Sequence, residues 1–137
     1  GKLSYLISTS KYGPGELKNS FCTPRGKHII RAKIGTGQQP GTIFKNRRPT
    51  GEVFSESKHR LEEGDWILTR ILWLSGIEKG RNRLGNVDTM QRFIYIHGTP
   101  DATILGVPVS KGCINMRNED VIQVFDLVDV NTMVYIE

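Results

Sequence analysis

Apolar and polar positions alternate with a period of two along most of the chain, the spacing of half-buried strands. From Lys2 to Thr9, Leu3, Tyr5 and Ile7 fall on one face and Ser4, Leu6 and Ser8 on the other. His28 to Ile34 sets Ile30, Ala32 and Ile34 against Ile29, Arg31 and Lys33, which predicts a second strand. Trp66 to Leu74 is dense in β-branched and aromatic residues and reads as a central strand, with Trp66 and Trp73 on opposite faces. Arg92 to His97 sets Phe93, Tyr95 and His97 against Ile94 and Ile96, so His97 ends a strand on its aromatic face. Thr132 to Ile136 predicts a last strand. One stretch changes period. In Glu119 to Val128 the residues Val121, Val124, Phe125 and Val128 form a helical stripe, with Asn118 as the expected N-cap and two acids in the first turn.

Between these elements the punctuation is strong. Tyr12-Gly13-Pro14-Gly15 and Thr23-Pro24-Arg25-Gly26 are turn sequences, because glycine admits positive φ and proline fixes its own. Gly35 to Gly51 holds four glycines, two prolines and three basic residues and reads as a long loop, interrupted by a short strand at Thr42 to Lys45. Loops of that length in small domains tend to carry function. Gly76 to Asp88 returns to loop.

With 137 residues, the chain reads as one domain, residues 1–137, able to bury a core without disulfide stapling. A hydrophobic share of 37% and a charged share of 24% exclude a disordered chain, and no apolar run is long enough to span a bilayer. The first residue is Gly1 and not Met, which reads as a processed or excised form with any export signal already removed. A net charge of +5 favours anionic partners. The basic clusters Lys45 to Arg48 and Lys79 to Arg83 lack interleaved aromatic residues, so they read as solvated loops and not as a nucleic-acid site.

The chemistry concentrates in Ile94 to Arg117. His97 ends an apolar strand, and sixteen positions later Cys113 follows a small-residue turn. A chain that folds back there would place a thiol beside an imidazole, a nucleophile with its base. Gly112 directly before the cysteine permits a sharp turn and close approach of substrate. Backbone N–H groups around Lys111, Gly112 and Cys113 are then the candidates for holding an oxyanion. Arg117 and Lys111 are candidates for binding donor carboxylates, Asn115 for binding substrate or bracing the loop, and Trp73 for lining a cleft. Each has a plainer alternative: Arg117 in a surface pair with Glu119 or Asp120, Lys111 merely exposed, Trp73 in the core. His28 and His59 read as structural or exposed, and Cys22 as a packed thiol. A Cys22–Cys113 disulfide locking the nucleophile is a further hypothesis. No metal-ligand spacing joins the cysteines and histidines, and no cofactor is called for.

His97-Gly98-Thr99 followed by Ser110-Lys111-Gly112-Cys113-Ile114-Asn115 resembles the catalytic core of the L,D-transpeptidase (YkuD-type) domain of bacterial peptidoglycan metabolism. Thr23-Pro24-Arg25-Gly26-Lys27-His28-Ile29-Ile30, Val87-Asp88-Thr89 and Gly106-Val107-Pro108 extend the likeness from about Tyr5 onward. The resemblance implies a mainly β fold, a β-sandwich or open barrel with one or a few short helices. It implies a bacterial periplasmic or envelope location after export. It also implies attack by Cys113 on a stem-peptide donor, with His97 as base oriented by a backbone carbonyl near Gly98. Transfer follows to an acceptor amine, or to water in an L,D-carboxypeptidase. Ser110 joins the substrate-binding set on the same ground. The implied partners are peptidoglycan stem peptides and wall-linked lipoprotein, the implied inhibitors carbapenems, and the implied state a monomer. Two departures stand out. Lys111 replaces the family's second histidine, whose backbone role it can keep. The strands expected before Ser8-Thr9 are absent, so the chain begins inside the usual domain through trimming or as a natural short form. A papain-like peptidase is the nearest enzymatic rival, but there the cysteine precedes the histidine. A catalytically silent wall-binding domain is the rival of another class, and it would have no reason to keep both Cys113 and His97.

Overall fold

A computed structural model describes residues 2–60 and 65–137; Gly1, at which the domain was expected to start, lies outside them. Among the described residues the strands are β1 (Ile7–Ser8), β2 (Gly26–Ile34), β3 (Thr42–Lys45), β4 (Arg48–Val53), β5 (Leu68–Gly76), β6 (Tyr95–Gly98), β7 (Ile114–Met116) and β8 (Met133–Ile136), with one α-helix, α1 (Asn118–Leu127), and a single 3-10 turn at Gly85–Val87. They form one curled sheet in the order β1-β7-β6-β5-β2-β8, with β3 bridging β5 to β4. The fold is mostly β, as expected.

The central strand is β5, whose hydrophobic run is buried on both faces. On one face Leu72 and Leu74 pack with Ile30, Ile94, Ile114 and Phe125 of α1. On the other, Ile71 packs with Phe44 and Tyr95, and Trp73 and Cys113 lie against them. The sheet therefore separates a structural core beneath the helix from a second face that carries Tyr95 and Cys113.

Parity along β2 differs from the simple alternation. Ile30 pairs with Leu74 but Ala32 pairs with Trp73, because a bulge intervenes. One extra residue reverses which side the following residues face. Ile30 thus joins the helix-side core and Ile34 the opposite cluster, where strict alternation would have placed them together.

Other expectations need adjusting for equally local reasons. Lys2 to Thr9 pairs only at Ile7–Ser8. Trp66 precedes β5, packing edge-on against Phe54 at 5.3 Å and His59 at 5.2 Å. The long loop contains the unforeseen strand β4, every residue of which is exposed, so it offered no burial pattern to read. Asn118 is the first residue of α1 and not its cap. Its amide oxygen instead accepts from Thr69 Oγ1 at 2.5 Å, tying the helix start to β5.

Among the described strands only β6 and β7 run parallel, with Ile96 opposite Ile114 and His97 opposite Asn115. Parallel neighbours need a crossover. Here it is the loop between Gly98 and Ile114, fastened to the N-terminal segment by Gly106 N–H to Ile7 O at 2.9 Å and Ser110 N–H to Thr9 O at 3.0 Å. No helix among the described residues is long and apolar enough to cross a membrane.

Candidate active site

The parallel register brings the two ends of the motif together. Side chains two apart on a strand share a face, and residues paired across a parallel ladder point the same way. Tyr95 and His97 on β6 therefore share a face with Asn115 on β7 and with Cys113 just before it. The Tyr95 N–H reaches Cys113 Sγ at 3.3 Å, and Sγ lies 3.5 Å from the Phe93 carbonyl.

His97 is 1% exposed, and its Nδ1 lies 2.7 Å from the Gly98 carbonyl. A carbonyl accepts only, so Nδ1 must carry the proton. Nε2 is then the basic lone pair of the neutral ring, and it has no hydrogen-bond partner among the described residues. Gly98 itself is fixed by space: a Cβ there would come within 2.8 Å of the Leu68 carbonyl and would strike Asn118.

Burial holds the His97 imidazole below its usual range, opposed by its bond to Gly98 and by the Asp65 carboxylate. Burial likewise pushes the Cys113 thiol up to about 12, partly offset by the Tyr95 N–H and by Arg92, while Asp65 adds to the rise. Both shifts favour the uncharged forms, a thiol and a neutral imidazole, over a preformed ion pair.

The turn that presents Cys113 is braced from several directions. Gly112 has φ of +122°. A Cβ on it would lie 3.1 Å from Ile94 Cδ1 and 3.3 Å from the Cys22 carbonyl, so the position demands glycine for both conformation and space. Its carbonyl accepts from Thr23 Oγ1 at 2.9 Å. Ser110 Oγ donates to the Cys113 carbonyl at 2.6 Å and accepts from Gly112 N–H at 3.3 Å. Ser110 is 1% exposed, so its hydroxyl braces the turn and does not face a cleft. Arg92 Nη2 donates to the Cys22 carbonyl at 2.6 Å, anchoring the preceding loop beneath the same turn.

Asn115 is 5% exposed, and its amide oxygen has no hydrogen-bond partner among the described residues. It also lines a cleft of about 350 Å³ with Asp65, Trp66 and Thr99. Trp73 packs edge-on to Tyr95 at 5.8 Å, with its indole N–H on the Met90 carbonyl at 3.1 Å. Lys111 is exposed beside Phe21 and Phe93. Arg117 is exposed in a separate depression with Asp101 and Glu119. Cys22 and Cys113 are both free thiols.

The residues not singled out from sequence are Asp65, Arg92, Thr23 and Arg47. Thr23 was within reach, since its Thr-Pro turn was read as punctuation; what the pattern lacked was the target of the hydroxyl, 89 residues away. Asp65 and Arg92 carry no local signature.

Comparison with known proteins adds an independent line. The model of the L,D-transpeptidase catalytic domain, YkuD, matches residues 2–136. None of the curated proteins matches the sequence. Among solved structures, the L,D-transpeptidase from Mycobacterium smegmatis superposes with a TM-score of 0.51 at 18% identity, covering 99% of this chain and 49% of that one. L,D-transpeptidase 3 from Mycobacterium tuberculosis gives 0.53 at 18% identity, over 97% of this chain and 43% of that one. The transpeptidase LdtMt1, solved in complex with imipenem, gives 0.52 at 18% identity over 99% and 49%. The chain therefore spans about half the length of these structures, and they share its fold. With the family model matched over nearly all of its length, the chain belongs to the YkuD family of L,D-transpeptidase catalytic domains.

Proposed function

We propose that this domain is a peptidoglycan L,D-transpeptidase acting through Cys113, in the bacterial periplasm or envelope. The observation that carries the reading is the shared face of β6 and β7, where Cys113 stands beside Tyr95 while His97 is held by Gly98 in the tautomer of a base.

In the first step His97 Nε2 takes the proton of the Cys113 thiol as sulfur attacks the carbonyl between an L-centre and the terminal D-residue of a donor stem. A thiol raised to about 12 cannot serve as a standing thiolate, so proton removal belongs in the attack itself. The Tyr95 N–H on sulfur stabilises the charge that develops there. The carbonyl oxygen becomes an oxyanion. The N–H groups of Lys111 and Cys113 are assigned to it, because that of Gly112 is directed to Ser110. The imidazolium then protonates the departing D-amino acid and a thioester remains. In the second step His97 takes a proton from an acceptor amine, which displaces sulfur; the thiol is restored and an amide cross-link formed.

Asn115 is assigned to the donor peptide, whose N–H groups would satisfy an amide oxygen that has no partner among the described residues. Trp73 forms part of the wall through Tyr95, and Ser110 serves by holding the Cys113 turn. Arg117 lies in a depression that includes neither Cys113 nor His97, which speaks against carboxylate binding at the thiol, and the ion pairs among the described residues do not include the expected one with Glu119 or Asp120.

The test is product analysis with tetrapeptide stems. Cross-linked dimer supports transfer to an amine, and tripeptide alone assigns an L,D-carboxypeptidase. No consumption by the reduced protein would overturn the reading in favour of a silent wall-binding domain.

A further inference from the structure

We propose that Arg47, at the tip of the β3–β4 hairpin, binds a carboxylate of the donor stem peptide at the aromatic rim formed by Trp73, Phe93 and the Tyr95 hydroxyl; the inference rests on the reading of this site as one that acts on wall peptides.

The hairpin turn is where the sequence breaks a local rule. Lys45 pairs with Arg48, leaving Asn46 and Arg47 as a two-residue turn with φ of 49° and 64°. Two-residue hairpin turns with positive φ at both positions favour Asn-Gly. Asn46 fits the rule. Arg47 stands where glycine would sit without strain, so its side chain has to offset a backbone cost.

That side chain does not extend into solvent. The guanidinium lies 4.9 Å from the Trp73 ring and 5.0 Å from the Phe93 ring, and Nη1 donates to the Tyr95 hydroxyl at 3.0 Å. Phe93 contributes a second irregularity, with φ of 58° and an overall exposure of 52%. The same two residues hold the nucleophile: the Phe93 carbonyl and the Tyr95 N–H are the groups beside Cys113 Sγ. Two strained positions thus converge on one aromatic cage, with a cation set into it at the hydroxyl end of Tyr95, whose backbone N–H meets the thiol.

The cage orients the cation without neutralising it. Ion pairs among the described residues join Arg25 to Glu16, Lys58 and His59 to Glu52, and Arg81 to Glu78; none includes Arg47. A guanidinium has five N–H donors, and the Tyr95 hydroxyl takes one. Ring stacking holds the plane of the group while leaving N–H edges for a bidentate anion, the geometry that suits arginine to carboxylates. A stem peptide offers a carboxylate at its terminal D-residue, and another on the side chain where its third residue is a diamino diacid.

The experiment is calorimetric binding to the chain carrying Cys113→Ala, which cannot turn ligand over. Three tetrapeptide stems serve as probes: the free acid, the C-terminal carboxamide, and the form amidated on the diamino diacid. The free acid is expected to bind at least tenfold tighter than one of the amidated forms, and which amide loses affinity names the carboxylate. Adding Arg47→Gln should abolish the difference, whereas Arg47→Lys, which keeps the charge and the turn, should retain part of it. Discrimination that persists in Arg47→Gln overturns the proposal. So does an equal loss for all three peptides, which would make Arg47 only a latch of the hairpin, and so does binding of none of them by the parent. Turnover by the unmutated chain is measured alongside. Carboxylate-selective binding that depends on Arg47, in a chain that consumes no stem, would sink the transpeptidase reading and leave this one standing.

Discussion

The hydroxyl of Thr23 donates to the carbonyl of Gly112 at 2.9 Å across 89 positions of sequence, and accepts from the Ser10 N–H at 3.0 Å. Both contacts are buried, so the loop that presents the nucleophile is locked to the N-terminal third of the chain. Thr23→Val keeps the shape and leaves both partners without a bond. Losing a buried partner costs about 1–3 kcal/mol. Denaturant unfolding should show a loss in that range, and turnover should fall further than stability alone explains. Thr23→Ser should restore most of both.

Gly112→Ala tests the same turn from the inside. The methyl group meets Ile94 and the Cys22 carbonyl in a backbone conformation disfavoured for alanine. Strain of this kind costs on the order of 1–3 kcal/mol. The expected result is a folded protein by circular dichroism whose Cys113 reacts at least tenfold more slowly with a stem peptide. A fully active Gly112→Ala would show that the turn is not constrained as described.

The pH dependence of stability has a worked sign. Burial lowers the folded-state pKa of both His28 and His97 below 6.5. The unfolded chain therefore binds more protons below pH 6.5, and stability is full above that value and lost as pH falls through it. Cys113 acts at the other end. Its thiol is raised from 9.0 to about 12, so stability declines as pH rises past about 9. Glu16, Glu52 and Glu78 are all lowered from 4.5 and add losses only at more acid pH. Urea titrations from pH 5 to pH 10 should show a plateau between the two limbs. Cys113→Ala should remove the alkaline limb, and His28→Asn should reduce the acid one.

Much of this was legible in the chain because the signals were short-range. Alternation around Ile94 to His97 and the helical stripe of Val121 and Phe125 placed the strand and the helix within a few residues. The pairing of His97 with Cys113 was legible as a requirement, since a nucleophile needs its base; the parallel register of β6 and β7 puts His97 opposite Asn115, two residues after Cys113 and on the same face, as that reading needs. What could not be read depends on contacts between distant segments. The bulge that divides Ile30 from Ile34 leaves no mark in a period-two pattern. Asn118 had the composition of a cap, but the Thr69 hydroxyl claimed its oxygen first. Arg47 belonged to a basic cluster that looked solvated, and only folding shows the rings of Trp73 and Phe93 beneath it.

Lys111 tests how far its replacement of histidine matters. Its side chain is exposed, and the role assigned to it uses only its backbone N–H. Lys111→Ala should therefore leave kcat within about threefold, well short of the 10²–10³ typical of losing an oxyanion donor. A loss of that larger size would place the ammonium in the chemistry.

The central claim is that Cys113 forms a thioester with the donor stem. Intact-mass measurement on protein quenched in acid during turnover of a tetrapeptide stem tests it directly. The account predicts an adduct equal to the stem minus its terminal D-residue, mapped to the peptide containing Cys113 and absent from Cys113→Ala. Release of the D-residue by Cys113→Ala at the unmutated rate, or an adduct on Cys22 alone, would contradict it.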